Sequence, residues 1–464
     1  MKKQFFIPLA FTLFAIVPIV QYAQVMGYND LGIIFSSDTY RQGTARSMSM
    51  QHAFGALGGD LSALDINPAS AAVFTTSKFS ITAGNRQNHT EAEYNGSTTL
   101  SDAGYFNLAQ AGGVLVFNDD AGSQSGWNRI SIGINVSKNG FFDNEWRAKG
   151  TGNPTWIYDP ADDNILYDHN IYQKYSSFTE GNHSVGNFTL SARYKNNYYF
   201  GFSVNSHSIE YDEGAILREL NDDGNGNTVE AYQKYWVNTR ADGISFSAGM
   251  IAKTDAGLRF GLSYRSPVWY ELTESSNMFL EDDEDYEPGY YLVTYSNSGE
   301  SYYNNINKQL DYDYRMTTPG RITGSIAYVF DKKGLISFDI SRKNYASIRI
   351  KPSEEFEPEN EAFASGLVNV YQFRGGTEWK IDNISLRAGA GYENSPFDNA
   401  RDSDHLFAYS LGAGYKMGAL QFDIAYDHKE KTGYFDFYPQ YDDLPGTELS
   451  LKTDHIVFTL GYSF

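Results

Sequence analysis

The stretch Arg129-Ile130-Ser131-Ile132-Gly133-Ile134-Asn135-Val136-Ser137 alternates strictly between aliphatic residues and polar or small residues. Successive side chains of a β-strand point to opposite faces, so this stretch predicts a strand with one aliphatic face and one polar face. The same period-two pattern returns at 187–195, 198–204, 244–250, 258–264, 336–341 and 456–464. The chain is therefore predicted to consist mainly of strands that separate an apolar environment from a polar one.

The sequence contains fourteen such strands, of which the first two, at 78–85 and 107–117, are the weakest. The others are expected at 127–138, 187–195, 198–204, 244–250, 258–264, 322–330, 336–341, 371–380, 384–392, 407–415, 420–426 and 456–464. Short turns near 118–126, 196–197, 253–256, 331–334, 381–383 and 416–419 alternate with long connections at 86–106, 139–185, 210–237, 271–319, 348–368, 394–404 and 431–453. An even strand number with this alternation predicts an all-β membrane protein, a 14-stranded antiparallel transmembrane β-barrel.

Composition agrees with a barrel. The 464 residues include 36 Tyr, 31 Phe and 43 Gly but only 13 Pro, and the mean hydropathy is −0.46. A barrel can be this polar because only alternate strand residues face lipid and the loops are polar. The formal net charge of −21 argues against nucleic acid as a partner, since it would repel phosphates. The lack of cysteine excludes disulfides and thiolate metal sites.

The first 23 residues have the pattern of a secretory signal peptide. Lys2 and Lys3 supply the positive start, 5–20 the apolar stretch, and Gln21-Tyr22-Ala23 the cleavage end. No later window reaches the roughly 18 to 20 apolar residues that a spanning helix needs, so membrane crossing is expected to use strands. We divide the chain into the signal at 1–23, a plug at 24–77 and the barrel at 78–464.

The plug contains the segment 43–69, which differs from everything after it. It is rich in small residues and is interrupted by glycine at Gly55 and at Gly58-Gly59. Apolar residues recur in it at roughly helical spacing, namely Met48, Met50, Phe54, Leu57, Leu61 and Leu64. We predict two or three short helices in the barrel lumen, with Asn67 extended because Pro68 follows it.

The same segment resembles the N-terminal hatch of the FadL-type outer-membrane transporters of long-chain fatty acids and other hydrophobic compounds. The residues that carry the resemblance are Gly43, Ala45, Arg46, Ala53, Gly58, Asp60 and the triplet Asn67-Pro68-Ala69. Further segments with this likeness are 261–267, Thr318-Pro319, 387–392 and Ser395-Pro396. One local difference is that Gln51 and His52 stand where many such relatives have two glycines.

The resemblance implies a passive, monomeric outer-membrane transporter of hydrophobic, fatty-acid-like small molecules in a Gram-negative bacterium. It implies no enzymatic activity and no cofactor. The ligand would be captured by extracellular loops, bind inside the barrel, and leave when the hatch (24–77) shifts or through a gap in the wall. In the family that gap comes from an inward kink of the third strand, here 127–138. Gly133 is the residue at which this strand would bend most easily. The expected hatch residues are Arg46 and Asp60 as internal partners and Asn67, Pro68 and Ala69 at the hatch end.

Aromatic residues in or directly beside the long connections 210–237 and 271–319 predict a capture groove for a hydrophobic ligand. They are Tyr232, Tyr235, Trp236, Trp269 and Tyr270. The alternative is that they anchor the barrel at the membrane interface or pack loop on loop.

Other features of the sequence predict no catalytic or metal site. The acidic run 281–285 lacks the glycine and spacing of a calcium loop and is interpreted as a solvated loop. A haem-binding alternative would use His52 or His207 as an axial ligand, although an isolated histidine is more often packed or exposed. No Gly-x-Ser-x-Gly motif is present.

Two alternatives of other classes stay open: a structural or secretion-associated barrel whose loops bind protein cargo, and a nonspecific porin. The expected partners are a hydrophobic small molecule, the lipid bilayer and the outer-membrane barrel assembly machinery. Recognition by that machinery is indicated by the terminal Phe464, which ends an alternating aromatic strand.

The first testable prediction concerns topology. Epitope tags in the short turns at Asn196-Asn197 or 331–334 should be hidden on intact cells, because short turns of such barrels are periplasmic. Tags at residue 160 or 285 should bind antibody without permeabilisation. Labelling of the short turns on intact cells would reverse the orientation.

Overall fold

The computed structural model describes residues 28–118, 126–162, 164–280, 286–288, 290–303, 306–331, 333–436, 438 and 444–464. Within these ranges the wall strands form one closed antiparallel barrel. The expected signal peptide and the acidic run 281–285 lie outside the described residues.

Fourteen wall strands make up the barrel, as the sequence predicts. They are β1 (Lys78–Tyr94), β2 (Ser97–Asn118), β3 (Trp127–Phe141, then Asn144–Gly150), β4 (His169–Tyr194), β5 (Tyr198–Asp222), β6 (Thr228–Lys253), β7 (Leu258–Arg265, then Val268–Leu280), β8 (Ile306–Thr318, then Arg321–Phe330), β9 (Gly334–Asn344, then Arg349–Lys351), β10 (Asn369–Ile381), β11 (Ile384–Glu393), β12 (Leu406–Met417), β13 (Leu420–Phe435) and β14 (Thr447–Ser463). Neighbours in sequence pair with each other, and β14 closes on β1 from Lys78↔Ser463 to Glu93↔Glu448.

Helices are short and few. The segment before β1 contains α1 (Tyr28–Ser36), α2 (Ala45–Met48), α3 (Ala63–Ile66) and the 3₁₀ helix Pro68–Val73. The connection from β9 to β10 holds α4 (Glu357–Gly366) and the 3₁₀ helix Tyr345–Ser347, and Asp402–Asp404 forms another 3₁₀ turn. The connection between β7 and β8 adds short strands at Tyr286–Pro288, Tyr290–Tyr295 and Ser301–Tyr303. In the described part of the chain, no helix is both long and apolar enough to span a bilayer.

The alternating pattern separates two faces of the wall. On β3, Ile130, Ile134 and Val136 are 51%, 57% and 49% exposed, whereas Ser131 and Asn135 between them are fully buried. Aromatic side chains ring the outer face near the short turns, namely Trp127, Tyr198, Trp379, Tyr415 and Tyr462. A second aromatic row toward the long connections contains Trp269, Tyr371 and Tyr409. An apolar belt between two aromatic girdles is the lipid-facing surface of a membrane barrel.

The strands are longer than predicted, because much of two expected loops is paired strand. In the expected loop at 86–106, β1 and β2 remain paired up to Tyr94↔Ser97 and turn at Asn95-Gly96, where φ is 47° and 75°. In the expected loop at 210–237, β5 and β6 pair up to Asp222↔Thr228. Outward apolar residues continue beyond the belt only at scattered positions such as Leu100 and Phe178, whereas the backbone ladder needs no lipid and continues past the belt. The barrel therefore has a short-turn end and a tall long-connection end.

The second prediction tests the lipid face at Leu411, which is 57% exposed on β12. Leu411→Arg should destabilise the folded barrel by about 2 to 4 kcal/mol, because the charge would lie in lipid near the midplane. The matched variant Leu411→Phe should be nearly neutral, because fluid lipid accepts the larger ring. Both can be measured by denaturant unfolding in lipid vesicles. A cost of 1 to 3 kcal/mol for Leu411→Phe, which is typical of an overpacked core, would contradict a lipid-facing position.

Candidate ligand path through the barrel

The hatch fills the lumen at the level of the lipid belt, and its backbone packs directly on the wall. Several inward wall positions are glycine, and a Cβ at any of them would collide with the hatch. A Cβ at Gly201 would lie 2.3 Å from the Pro68 carbonyl carbon, and one at Gly261 would lie 2.2 Å from the Gly55 oxygen. Gly376 and Gly389 approach the Met50 backbone in the same way. The small residues of the polar face therefore make room for the hatch.

Asn67 connects two parts of the hatch with the wall. It is extended, with φ −145° and ψ 109°, and the 3₁₀ helix begins at Pro68. Its amide nitrogen donates to the carbonyls of Gly55 at 2.8 Å and Met250 at 3.1 Å, and its side-chain oxygen accepts from the backbone N–H of Ala69. Ser191 donates to the Pro68 carbonyl at 2.6 Å. The Asn-Pro-Ala triplet is thus a docking point of the hatch on β4 and β6.

A buried charged cluster joins the hatch to β7, β8 and β9. It consists of Asp38 and Asp65 with Arg41, Arg265, Arg321 and Lys343. Asp38 is 3.0 Å from Arg41, 2.8 Å from Arg321 and 2.5 Å from Lys343. Burial alone would raise the pKa of Asp38, but these three cations lower it well below its usual value. With two carboxylates and four cations, the cluster carries an excess of positive charge.

A second ionic group lies closer to the short turns and corrects the expected pairing of Arg46 with Asp60. Arg46 donates to both carboxylate oxygens of Glu378, at 2.7 and 3.2 Å. Asp60 instead accepts from the Thr44 hydroxyl at 2.7 Å and from the Ser62 backbone. The wall supplies a buried acid for Arg46, and the hatch itself satisfies Asp60.

A large cluster of packed apolar side chains, which we call the chamber, lies on the long-connection side of the hatch. Its buried members are Leu31, Phe35, Ile209, Tyr211, Ala241, Val268, Tyr270, Leu272, Tyr314, Met316, Tyr345, Ile348, Ile350, Phe356, Phe363, Leu367 and Val370. Leu31 and Phe35 come from α1, and the Phe35 ring packs 6.4 Å from Tyr211 and 6.2 Å from Tyr270. We did not predict α1 from the sequence, although Leu31 and Phe35 have helical i, i+4 spacing.

The chamber is bounded by polar groups at one end and by a second apolar cluster at the other. A small cavity between the chamber and the charged cluster is lined by Phe35, Tyr270, Asp38, Arg321 and Lys343, with His183 and His207 beside them. Toward the long-connection end, Tyr94, Trp146, Tyr175, Ala215, Phe435, Tyr438 and Leu449 belong to another buried apolar cluster. Inward residues of β5 connect both clusters, with Glu213 between Tyr211 and Ala215.

The expected wall kink at Gly133 is not found there. Gly133 pairs regularly with Val114 and Thr189, and a Cβ on it would lie 2.4 Å from Leu64 of the hatch. The β2–β3 ladder instead ends at Gln110↔Ser137, and β3 itself is interrupted between its two segments. The Lys138 carbonyl accepts from the Gln42 backbone of the hatch at 2.8 Å. Gly133 therefore makes room for the Leu64 side chain, and the ladder is broken farther along β3.

The five aromatic residues expected in one capture groove lie on two different faces. Tyr270 faces the chamber, and Tyr235 occupies an inward position of β6. Tyr232 contacts Arg218, Lys234 lies over Trp236, and Trp269 packs against Phe246 of the lipid belt. Only Tyr270 is placed to touch a ligand in the chamber.

The two histidines considered for haem have both ring nitrogens within hydrogen-bond distance of other groups. His52 is 2.9 Å from the Ser47 hydroxyl and 3.2 Å from the Arg41 carbonyl. His207 is 3.0 Å from His183 and 2.9 Å from the Ser245 hydroxyl. In this conformation neither ring has a nitrogen available for iron.

Comparison with known proteins shows a shared fold without close sequence relatives. No protein-family model and no curated protein sequence matches the chain. Solved structures do match, among them a Pseudomonas aeruginosa FadL homologue with a TM-score of 0.57 and 16% identity, over 92% of this chain and 99% of that one. The Pseudomonas putida toluene transporter TodX has a TM-score of 0.54 and 13% identity, and the Ralstonia pickettii toluene transporter TbuX 0.51 and 14%, each over 92% of this chain and 99% of the other. The chain has the fold of these FadL-type barrels, which confirms the expected resemblance at the level of the fold.

The third prediction concerns Asn67. Asn67→Ala should weaken hatch docking by about 1 to 3 kcal/mol, because two buried carbonyls and one N–H lose their partner. Faster hydrogen exchange in 43–69 and a higher leak conductance should follow, with unchanged barrel migration on gels. Asn85→Ala, an exposed asparagine on the outer face of β1, is the matched control. Equal exchange in both variants would show that Asn67 does not hold the hatch.

Proposed function

We propose that the chain is a passive outer-membrane channel for hydrophobic small molecules, with fatty-acid-like amphiphiles as its substrates. The apolar chamber carries this proposal. A channel for polar solutes needs a water-filled, polar lumen, whereas this lumen encloses a large set of aliphatic and aromatic side chains. Such a chamber gives an apolar solute a place to bind while it crosses a polar environment.

The order of groups along the lumen supports an amphiphile rather than a simple hydrocarbon. The chamber ends at the charged cluster, where Arg321 and Lys343 line the small cavity together with Phe35. Its surplus of cations favours an anionic head group, and the chamber favours an acyl chain. The names of the similar structures include both a FadL homologue and toluene transporters, so both carboxylated and neutral ligands need to be tested.

Passage requires movement of the N-terminal segment. Leu31 and Phe35 of α1 fill part of the chamber, and the hatch closes the lumen beyond it. A ligand would take the room of these side chains. It would then leave past the hatch or through the break in the β2–β3 ladder that begins at Lys138, whose carbonyl the hatch now caps.

The remaining expectations belong to the same proposal. The apolar belt and its aromatic girdles support an outer-membrane location, and the alternating exposed residues Phe458, Leu460 and Tyr462 of β14 support insertion by the barrel assembly machinery. A monomer is proposed because the outward apolar residues of the wall are accounted for by lipid. A filled lumen argues against a nonspecific porin, which would show large steady conductance in planar bilayers.

The fourth prediction tests the chamber through Met316, which is 1% exposed on β8. Met316→Glu places a carboxyl group among apolar side chains, an unfavourable environment for both an acyl chain and the charge itself. Uptake of oleate and toluene by cells carrying this variant should fall about tenfold or more, while Met316→Leu should resemble the wild type. Surface abundance and heat-modifiable migration check that the variant folds.

Ligand extraction complements the uptake measurement. Mass spectrometry of the purified protein should find fatty-acid-like molecules in the wild type and less in Met316→Glu. Uptake in all three strains no higher than in cells without the protein, together with no extracted lipid, would favour the protein-cargo alternative over transport.

A further inference from the structure

Basic side chains cluster at the short-turn mouth of the lumen. Buried and exposed residues alternate along each wall strand, so the inward position nearest to this mouth can be identified on every strand. Seven of these fourteen positions are basic: Lys78, Arg129, Arg193, Lys253, Arg259, Lys380 and Lys416. The other seven are Asn118, Tyr199, Val329, Leu335, Ser385, Gln421 and Ser463. None of the fourteen is acidic, although the chain as a whole carries a net charge of −21.

We call the seven basic residues the basic ring. Nearby carboxylates do not neutralise its positive charge. Glu378 lies one inward position deeper and is engaged by Arg46 and by Arg387, while Lys380 is 3.8 Å from it. Asp423 is paired with Arg387 at 2.7 Å. On the described parts of the short turns, Asp255, Asp331 and Asp382 are exposed, whereas Asp119 and Asp120 lie outside the described residues. Asp60 of the hatch accepts from Thr44 and Ser62. Among the described residues, the inward acids near the mouth are thus held mainly by groups outside the ring, and Lys380 is the ring member that forms an ion pair with one of them.

Members of the basic ring differ in how they are held. Arg129 donates to the Ala72 carbonyl and Arg259 to the Leu57 carbonyl. Both residues therefore also bind the side of the hatch that faces the short turns. Lys380 is half exposed, and Lys416 is exposed. The ring therefore combines cations fixed against the hatch with cations that reach into the open mouth.

We infer that the basic ring makes the short-turn mouth an anion-binding vestibule, which receives the anionic head group of an amphiphile as it leaves the lumen. Rings of Lys and Arg select anions in pores, and a mouth with low-dielectric walls concentrates the ions it attracts. The assignment to a transported amphiphile rests on the proposed function. The same carboxylate or phosphate chemistry could also come from the head group of a membrane phospholipid.

Binding of a soluble polyanion tests the vestibule without any transport. Pyrene tetrasulfonate, followed by fluorescence anisotropy at low salt, should bind the detergent-solubilised full-length protein, and added salt should weaken this binding. Replacing Lys253, Lys380 and Lys416 together by Gln should raise its Kd about tenfold. The matched control replaces Lys351, Lys431 and Lys452, which lie toward the long-connection end, by Gln and should leave Kd unchanged. Equal loss in both triple variants, or no binding to the wild type, would overturn the vestibule.

Competition and uptake then identify the source of the anion. Oleate should displace the dye and methyl oleate should not, and the ring variant should take up oleate several-fold more slowly with unchanged methyl oleate uptake. Displacement by phosphatidylglycerol vesicles alone would assign the site to membrane lipid and overturn the exit role. Displacement by neither would exclude an amphiphile head group and favour an acidic protein. Dye binding without uptake of either compound by the wild type would refute the proposed transport and leave the vestibule in place.

Discussion

The pairing of two hatch carboxylates with four buried cations is the interaction on which the closed barrel depends. Asp38 and Asp65 are almost fully buried, and so are their partners. A buried charge without its partner is costly, so neither the hatch nor the inner wall can keep these groups alone. The charges of the hatch and of the wall therefore stabilise each other, and three of the four cations, Arg265, Arg321 and Lys343, also border the apolar chamber. One cluster thus links closure of the lumen to the chemistry of the ligand.

Steric fit limits the wall in the same region. The inward glycines at 201, 249 and 261 would each collide with the hatch if they carried a Cβ. At Gly201 and Gly261 the wall lies directly against hatch backbone, so any shift of the hatch must break this close fit. This explains why Asn67, which bonds three backbone groups, and Ser191, which bonds the Pro68 carbonyl, lie at the docking point.

The strands could be predicted because lipid imposes a strict period-two pattern on the outer face. The limits of the strands could not, because β1 and β2 remain paired beyond the belt, where no apolar alternation is needed. Gly133 was misinterpreted because a glycine in a strand fits either a kink or close packing, and only the position of Leu64 decides between them. The aromatic residues were grouped wrongly for a related reason. Neighbours such as Trp269 and Tyr270 face lipid and lumen respectively, and sequence proximity does not show this.

Gln51 and His52 form a strained turn within the hatch. Both residues have positive φ, 48° and 58°, so the turn keeps the left-handed backbone that two glycines would adopt without strain. That conformation costs roughly 1 to 2 kcal/mol for a residue with a Cβ. Here the side chains provide compensation, since Gln51 donates to Asp427 of β13 and the His52 ring bridges Ser47 and the Arg41 carbonyl. Arg41 also pairs with Asp38 and Asp65, so the strained turn supports the charged cluster directly. The two side chains thus strain the backbone locally, but the contact of Gln51 with Asp427 also attaches the hatch to the wall.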